Sequence, residues 1–522
     1  MDLPQSFLTL LIFSPLAAAV ILLFVPDDER RVIKRLAFVL SLVPLVMSLV
    51  LWFSYDRSTP GFQFAQQARW FESIGSTYHV AVDGISLPMV LLTTILTPLA
   101  ILASWDIKDR LKWFMMLFLG LESAMLGLFL SLDLIIFFIF WEIGLVPMYF
   151  LIRIWGGADR VYASFKFMIY TMAGSLGLLL SIQIMGLATG TFDIVKLMDV
   201  WVNMPAGTLP VVGLSVATVK GLAFVAFFIA FAIKVPMFPF HTWLPDAHTQ
   251  APTAGSMILA GVLLKLGAYG FIRLVIPLFP EQAGNAAWAL ALLGMLSIVL
   301  GGFAAFGQWD FKRLVAYSSI NHMGFVVLGL AVMAFTYGKI YDAGGAGAIN
   351  AQTGYVGDAI IATSGAVMQM FNHGLSAAGM FFMVGVIYDR AHTRDLKRFG
   401  GIWSILPAFG AILIFVSMAS LGLPGLNGFV GEFMIVRGSW GPFSFYVILS
   451  MLGLLMTGAY ILKGIGQTLH GPVKAEWAGL TDMTFREHAV IWPLMALMLS
   501  VGLWPQWVLV FINDTVSVLF GQ

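Results

Sequence analysis

Stretches of about 20 predominantly apolar residues, the length an α-helix needs to cross the hydrocarbon of a bilayer, recur from end to end of this 522-residue chain. They set the solvent in which it must fold. Only 11% of the residues are charged and 60% are apolar. Soluble domains carry roughly 25% charged residues, so too few polar side chains remain to cover a water-facing surface. The alternating segments of about 10 residues that mark a membrane barrel are absent. An all-α polytopic membrane protein is expected. A net charge of +1 gives no strong field for nucleic acid or an acidic partner. With no cysteine, the chain itself cannot supply disulfides, thiolate zinc sites, iron–sulfur ligation or c-type haem attachment. The first apolar run follows only Asp2 and precedes the basic cluster Arg30, Arg31, Lys34 and Arg35, unlike a secretory signal, so it reads as a retained helix.

Charges and turn residues divide the apolar sequence into about fourteen spans: 7–25, 36–54, 85–104, 113–130, 132–152, 164–188, 213–240, 252–275, 286–306, 313–335, 358–388, 402–437, 445–468 and 489–510. The runs 358–388 and 402–437 exceed one simple crossing, which implies tilt, extension or breakage. Gly344 to Gly357 reads as a surface loop. Basic residues orient the spans. Of the 28 Lys and Arg, four lie within spans. Six fall on one side, Arg57, Arg69, Lys196, Lys220, Lys339 and Arg437, and the remaining eighteen on the other. The eighteen mark the cytoplasmic side and place both termini away from it, in the periplasm of a bacterial inner membrane.

Several charges do not orient loops. Lys234, Lys265, Glu122, Glu142 and Glu432 sit inside apolar runs, where a charge costs about 2.5–3.5 kcal/mol on insertion scales and usually pairs or lines a hydrated path. Arg273 and Lys463 lie near span ends and read as interface anchors. His322 and His373 add two imidazoles in spans ten and eleven. Structural ion pairs gluing helices would account for one such residue. A mixed Glu, Lys and His set over at least seven spans suits proton transfer, because burial and opposite charges move the affinities of these groups in opposing directions. Nothing around the two histidines favours haem.

Prolines and glycines interrupt two spans. Span seven contains Lys234-Val-Pro236-Met-Phe-Pro239, and interior prolines free the carbonyls four residues earlier, those of Ala232 and Val235. Span twelve contains Gly422-Leu-Pro424-Gly425, then Gly431-Glu432. Spans five apart run in opposite directions, as two inverted five-helix repeats (spans 4–8 and 9–13) require, and discontinuous helices at matching positions point to a translocation path. The corresponding segments are 1–110 with helices 1–3, 111–280, 281–470, and 471–522 with helix 14. His241 and His248 match no zinc spacing and read as part of the turn between spans seven and eight. No phosphate loop, dinucleotide fingerprint or hydrolase nucleophile motif is present.

These residues resemble a known family. Phe140-Trp141-Glu142 with Pro147-Met148-Tyr149, Lys234-Val-Pro236 through His241 to His248, Leu264-Lys265-Leu266-Gly267, and the broken helix ending in Gly431-Glu432 are similar to the antiporter-like membrane subunits of bacterial NADH:quinone oxidoreductase, respiratory complex I. The likeness runs over essentially the whole chain. It implies that Glu142 pairs with Lys234, that Lys265 carries protons along a central axis, that His322 and His373 bridge its halves, and that Glu432 faces the exit. Glu rather than Lys at this last position resembles the M type, as against the related L and N subunits expected as partners. No cofactor is implied in this chain; FMN, iron–sulfur clusters and quinone belong to partner subunits. A subunit of a multi-subunit Na⁺/H⁺ antiporter is the alternative. A stand-alone solute transporter would need more polar groups around the breaks.

Overall fold

The apolar runs become helices, and their charged or glycine- and proline-rich borders become the ends. A computed structural model describes residues 3–59, 61–344 and 355–522; most of the expected Gly344–Gly357 loop lies outside them. The N-terminal helices are α1 (Phe7–Leu23), α2 (Arg30–Ser54) and α3 (Ser86–Ala103). Next come α4 (Leu111–Leu130), α5 (Leu134–Ile143), α6 (Leu145–Trp155), α7 (Arg160–Thr189), the short α8 (Ile194–Val200) and α9 (Val216–Lys234). Beyond the first break lie α10 (Trp243–Gln250), α11 (Thr253–Ile258), α12 (Leu264–Gly270) and α13 (Ile276–Leu278). The rest are α14 (Pro280–Gly307), α15 (Phe311–Asp342), α16 (Val356–Ala391), α17 (Pro407–Leu421), α18 (Asn427–Leu469), α19 (Phe485–Leu503) and α20 (Gln506–Leu519).

Among the described residues, eleven helices are long and apolar enough to cross a membrane, or twelve if the bent pair α19 and α20 is one span. α1 and α17 are apolar but shorter. α18 has 43 residues and a non-helical Phe443 beside Pro442. At 1.5 Å per residue such a helix is about 65 Å long, twice the hydrocarbon thickness, so it serves as two segments hinged at the proline. The run expected as the last span is instead bent by 65° between α19 and α20. Two small antiparallel hairpins interrupt an otherwise helical fold, β1 (Gln63–Phe71) with β2 (Ser76–Val82) and β3 (Thr208–Leu209) with β4 (Leu214–Ser215). They are too short to register in a search for spans.

Burial varies sharply between helices, and this positions the site. The most apolar stretches of Thr253–Leu278 and of α16 are wholly buried by protein, against one third for α2 and α18. The first two form the axis of the bundle, and they carry Lys265 and His373. Around this axis helices meet through small residues, as expected where lipid removes the hydrophobic drive between them. α14 and α15 touch backbone to backbone at Gly284 and Gly338, where an added Cβ would come within 2.8 Å of the facing Cα.

Candidate functional site

Lys265 stands at the centre of the axis helix, with no exposed surface. Two π-helical turns, Leu259–Leu263 and Phe271–Val275, bracket α12 on either side of it. A π turn leaves carbonyls poorly matched within the helix. One is used at once: Lys265 Nζ donates to the carbonyl of Ala260, five residues back. The same ammonium donates to His373 Nδ1 on α16 at 2.8 Å. With Lys265 as the donor, the neutral His373 ring carries its proton on Nε2, and Nε2 is buried with no partner among the described residues.

The next imidazole follows closely. The His322 and His373 rings are 5.7 Å apart, centroid to centroid. His322 Nδ1 donates to Glu432 Oε1 at 2.7 Å, and Tyr460 approaches its Nε2 at 3.3 Å. Gln369 Nε2 donates to the same Glu432 oxygen at 3.0 Å. Glu432 reaches this position because the helix breaks just ahead of it. α17 ends at Gly422 with φ +84°, and α18 begins at Asn427. A Cβ on Gly422 would lie 3.1 Å from Glu432 Oε2. A reciprocal pair of bonds seals the break: Asn372 Nδ2 donates to the Asn427 carbonyl at 2.7 Å, and Asn427 Nδ2 to the Asn372 carbonyl at 2.9 Å. Thus Lys265, His373, His322 and Glu432, from four separate helices, meet in one buried row.

Lys234, Glu142 and Glu122 lie outside that row. Lys234 ends α9 and is almost wholly buried, its Nζ 4.9 Å from the Trp141 ring centroid. Among the described residues there is no Lys234–Glu142 ion pair within 4.0 Å, although Glu142 is the carboxylate whose charge reaches Lys234. The indole of Trp141 is the direct neighbour of the ammonium. One oxygen of Glu142, Oε1, is buried without a partner among the described residues. Both oxygens of the fully buried Glu122 likewise lack a hydrogen-bond partner among the described residues; the nearby Thr97 hydroxyl donates to the Thr93 carbonyl at 3.0 Å. Of the two carbonyls expected to be freed at the proline break after Lys234, that of Ala232 is taken up again. The Met237 N–H donates to it at 3.1 Å, and next to it the Trp243 indole donates to the Ile233 carbonyl at 2.9 Å.

Other expectations change. Arg273 is not an interface anchor: it is buried and ion-paired to Asp83, itself 2% exposed. Burial forces that partner on it, because an unpaired guanidinium in the core is prohibitively costly. Lys463 does lie towards the end of its helix, in the last two turns of α18, donating to the Gln308 carbonyl at 2.8 Å over the Trp309 ring. His241 is in the turn after the break and stacks on Phe238. His248 is instead a core residue on α10, stacked on Phe381 with centroids 4.4 Å apart, and neither ring nitrogen has a partner among the described residues. Lys312 was counted with the loops, yet it is 6% exposed and donates to the Ala251 carbonyl. It borders a cavity of about 560 Å³ lined also by Asp106, Gln250, Asp389 and Arg394. Gln369, Asn372 and His373 share one face of an apolar helix, so their spacing carried a signal; nothing local marked Lys312 or Tyr460. Among the described residues no three His, Asp or Glu side chains group as metal ligands would.

A bundle of membrane-length helices around a buried Lys–His–His–Glu row defines a polytopic membrane protein with a polar interior axis. The family described as NADH:quinone oxidoreductase/Mrp antiporter, transmembrane, matches residues 131–341 and 350–457, and the chain belongs to it. It is 40% identical to NADH-quinone oxidoreductase subunit M of Rhodobacter capsulatus over 521 residues, covering 98% of this chain and 96% of that protein. A chain in the structure of respiratory complex I from Thermus thermophilus with bound NADH superposes with a TM-score of 0.83 at 26% identity, over 99% of this chain and 100% of that one. A chain of the Mrp complex from a Dietzia species shares the fold, with a TM-score of 0.79 at 18% identity over 99% of this chain and 98% of that one.

Proposed function

We propose that this chain is the proton-translocating M-type membrane-arm subunit of a bacterial NADH:quinone oxidoreductase, driven by electron transfer in other subunits. The observation that carries the mechanism is the buried row from Lys265 Nζ through His373 and His322 to Glu432. Its members are the residue types that exchange protons, held at hydrogen-bond distance except between the two imidazoles. That step takes a bridging water or a ring rotation to join His373 Nε2 to His322. Lys234 and Glu142 form the second charged group. With the Trp141 ring between helix ends, they act on each other through space, and the loading of one alters the charge that the other feels. Glu122 is a further buried carboxyl available to this half.

Identity near 40% along nearly the full length supports the M-type reading over a Na⁺/H⁺ antiporter subunit, whose likeness is one of fold. Fourteen crossings follow if α1 crosses, α17 and the first segment of α18 together make one broken crossing, the rest of α18 makes the next, and α19 with α20 crosses once. On this reading the inverted repeats occupy 111–280 and 281–470, flanked by 1–110 and 471–522, and both termini are periplasmic. The related L and N subunits are the neighbours in the membrane arm, and FMN, iron–sulfur clusters and quinone are held by partners.

The test is a pair of substitutions, Glu142→Gln and Lys234→Ala, in the assembled complex. NADH-driven proton pumping falls steeply while the complex remains detectable on native gels; pumping at the wild-type stoichiometry overturns the assigned roles. Mild-detergent purification separates the two functions, with flavin and iron–sulfur partners expected and redox-free membrane partners pointing to the antiporter.

A further inference from the structure

On the basic side of the bundle, several cations have found an anion. Lys166 and Arg313 pair with Asp246 at 2.6 and 3.4 Å, Arg390 with Glu487 at 2.7 Å, Arg394 with Asp310 at 3.1 Å, and Arg398 with Glu476 at 2.8 Å. One corner differs. At the start of α2 and in the turn leading into α4, the side chains of Arg30, Arg31, Arg35, Lys108 and Arg110 have no hydrogen-bond or ion-pair partner among the described residues. Only Lys34, on the Trp105 carbonyl at 2.5 Å, and Lys112, on Asp27 at 3.0 Å, are occupied there.

These cations converge on two cavities that share Arg30. One, of about 290 Å³, is lined by Arg30, Arg31, Lys34, Arg35 and Trp105, with no acidic residue. The other, of about 590 Å³, is lined by Arg30, Lys108, Arg110 and Lys112, with Asp27 as its one acidic residue, and continues over Trp113, Leu117 and Phe150. Trp113 and Phe150 are 56% and 40% exposed. The cavity therefore has a cationic mouth and an apolar floor, with Leu117 one helical turn deeper along α4 than Trp113.

We propose that this corner binds an anionic phospholipid, with its phosphate among the unpaired cations and an acyl chain along Trp113, Leu117 and Phe150. A scatter of basic residues from membrane orientation alone accounts for their side, but not for the gathering of five unpartnered cations around two adjoining cavities. A soluble phosphate would leave the apolar floor uncovered. Basic pockets between membrane helices recognise anionic headgroups by this combination.

The experiment uses the intact complex in nanodiscs containing photoactivatable phosphatidylglycerol or phosphatidylcholine, with cross-linked peptides mapped. Phosphatidylglycerol labels residues 105–117 in clear excess over phosphatidylcholine. Each cation near an anionic surface changes binding roughly fivefold, so Arg30→Gln with Arg110→Gln lowers that labelling about thirtyfold while NADH oxidation by a soluble acceptor is unchanged. Equal labelling by both lipids, labelling insensitive to the two substitutions, or no labelling because a neighbouring subunit covers the corner each overturns the proposal.

Discussion

Replacing His373 tests whether the central row conducts protons or merely holds helices together. Nδ1 of His373 accepts a 2.8 Å hydrogen bond from the buried ammonium of Lys265, and such charge-assisted bonds contribute about 1.5–3 kcal/mol. In His373→Leu, Lys265 keeps only the Ala260 carbonyl, and the link towards His322 disappears. If that free energy enters the barrier for transfer, each 1.36 kcal/mol is tenfold in rate, so proton movement slows by about 10- to 150-fold. His373→Gln separates two roles, since an amide oxygen can still accept from Lys265 but an amide does not relay a proton at neutral pH. The assay is NADH-driven acidification of proteoliposomes read with a pH-sensitive dye, with reduction of a water-soluble acceptor as the control for assembly. Pumping is expected to fall in both variants with the control unchanged. Recovery of more than half the wild-type pumping in His373→Gln, or pumping within twofold of wild type in His373→Leu, would refute conduction through this ring and leave it a structural role.

Two other substitutions probe how the row is held. Gly422→Ala forces an L residue into φ +84° and places a Cβ 3.1 Å from Glu432 Oε2, whereas Gly425→Ala meets the same backbone penalty at φ +93° with its nearest neighbour 4.0 Å away. The backbone cost is about 1–2 kcal/mol in each; only Gly422→Ala is expected to lower pumping per electron, and equal loss in both would show that the contact with Glu432 is unimportant. Arg273→Met leaves the Asp83 carboxylate buried and unpaired, at a cost of about 3–5 kcal/mol, and is expected to reduce the amount of assembled complex on native gels. Adding Asp83→Asn restores much of it, because the amide oxygen can still accept from the N–H groups of Ile85 and Ser86 as Asp83 Oδ1 does. No recovery in the double variant would mean that the ion pair itself is required.

What could be read from the amino-acid order was whatever local physics enforces. An apolar run of bilayer length has to be a helix, because lipid offers its backbone no hydrogen bonds. A Lys or Glu within such a run has to be buried beside something polar, and a proline has to end or bend the helix. Those rules were sufficient for the membrane class, for Lys234, Lys265 and Glu432 as unusual residues, and for the breaks after Lys234 and Leu421. They failed where identity of environment depends on a distant segment. Arg273 looked like an anchor because its position near a span end is a local property, while its partner Asp83 is 190 residues away. Lys312 looked like a loop cation because the helix that buries its side chain comes from elsewhere. The π turns around Lys265 left no mark in the local sequence.

The chain order alone therefore determined that this protein lives in lipid and which side chains are costly there. Only the tertiary structure decided which of them meet. Lys265 reaches His373 across 108 residues, and His322 reaches Glu432 across 110. It also left Glu142 and Lys234 apart, with an indole rather than a carboxylate against the ammonium. The physical reason is one of range: helix formation and the cost of burying charge are set within a few turns. The partner that offsets this cost is chosen by how whole helices pack, and a break placed by Gly422 and Asn427 brings one carboxylate into line.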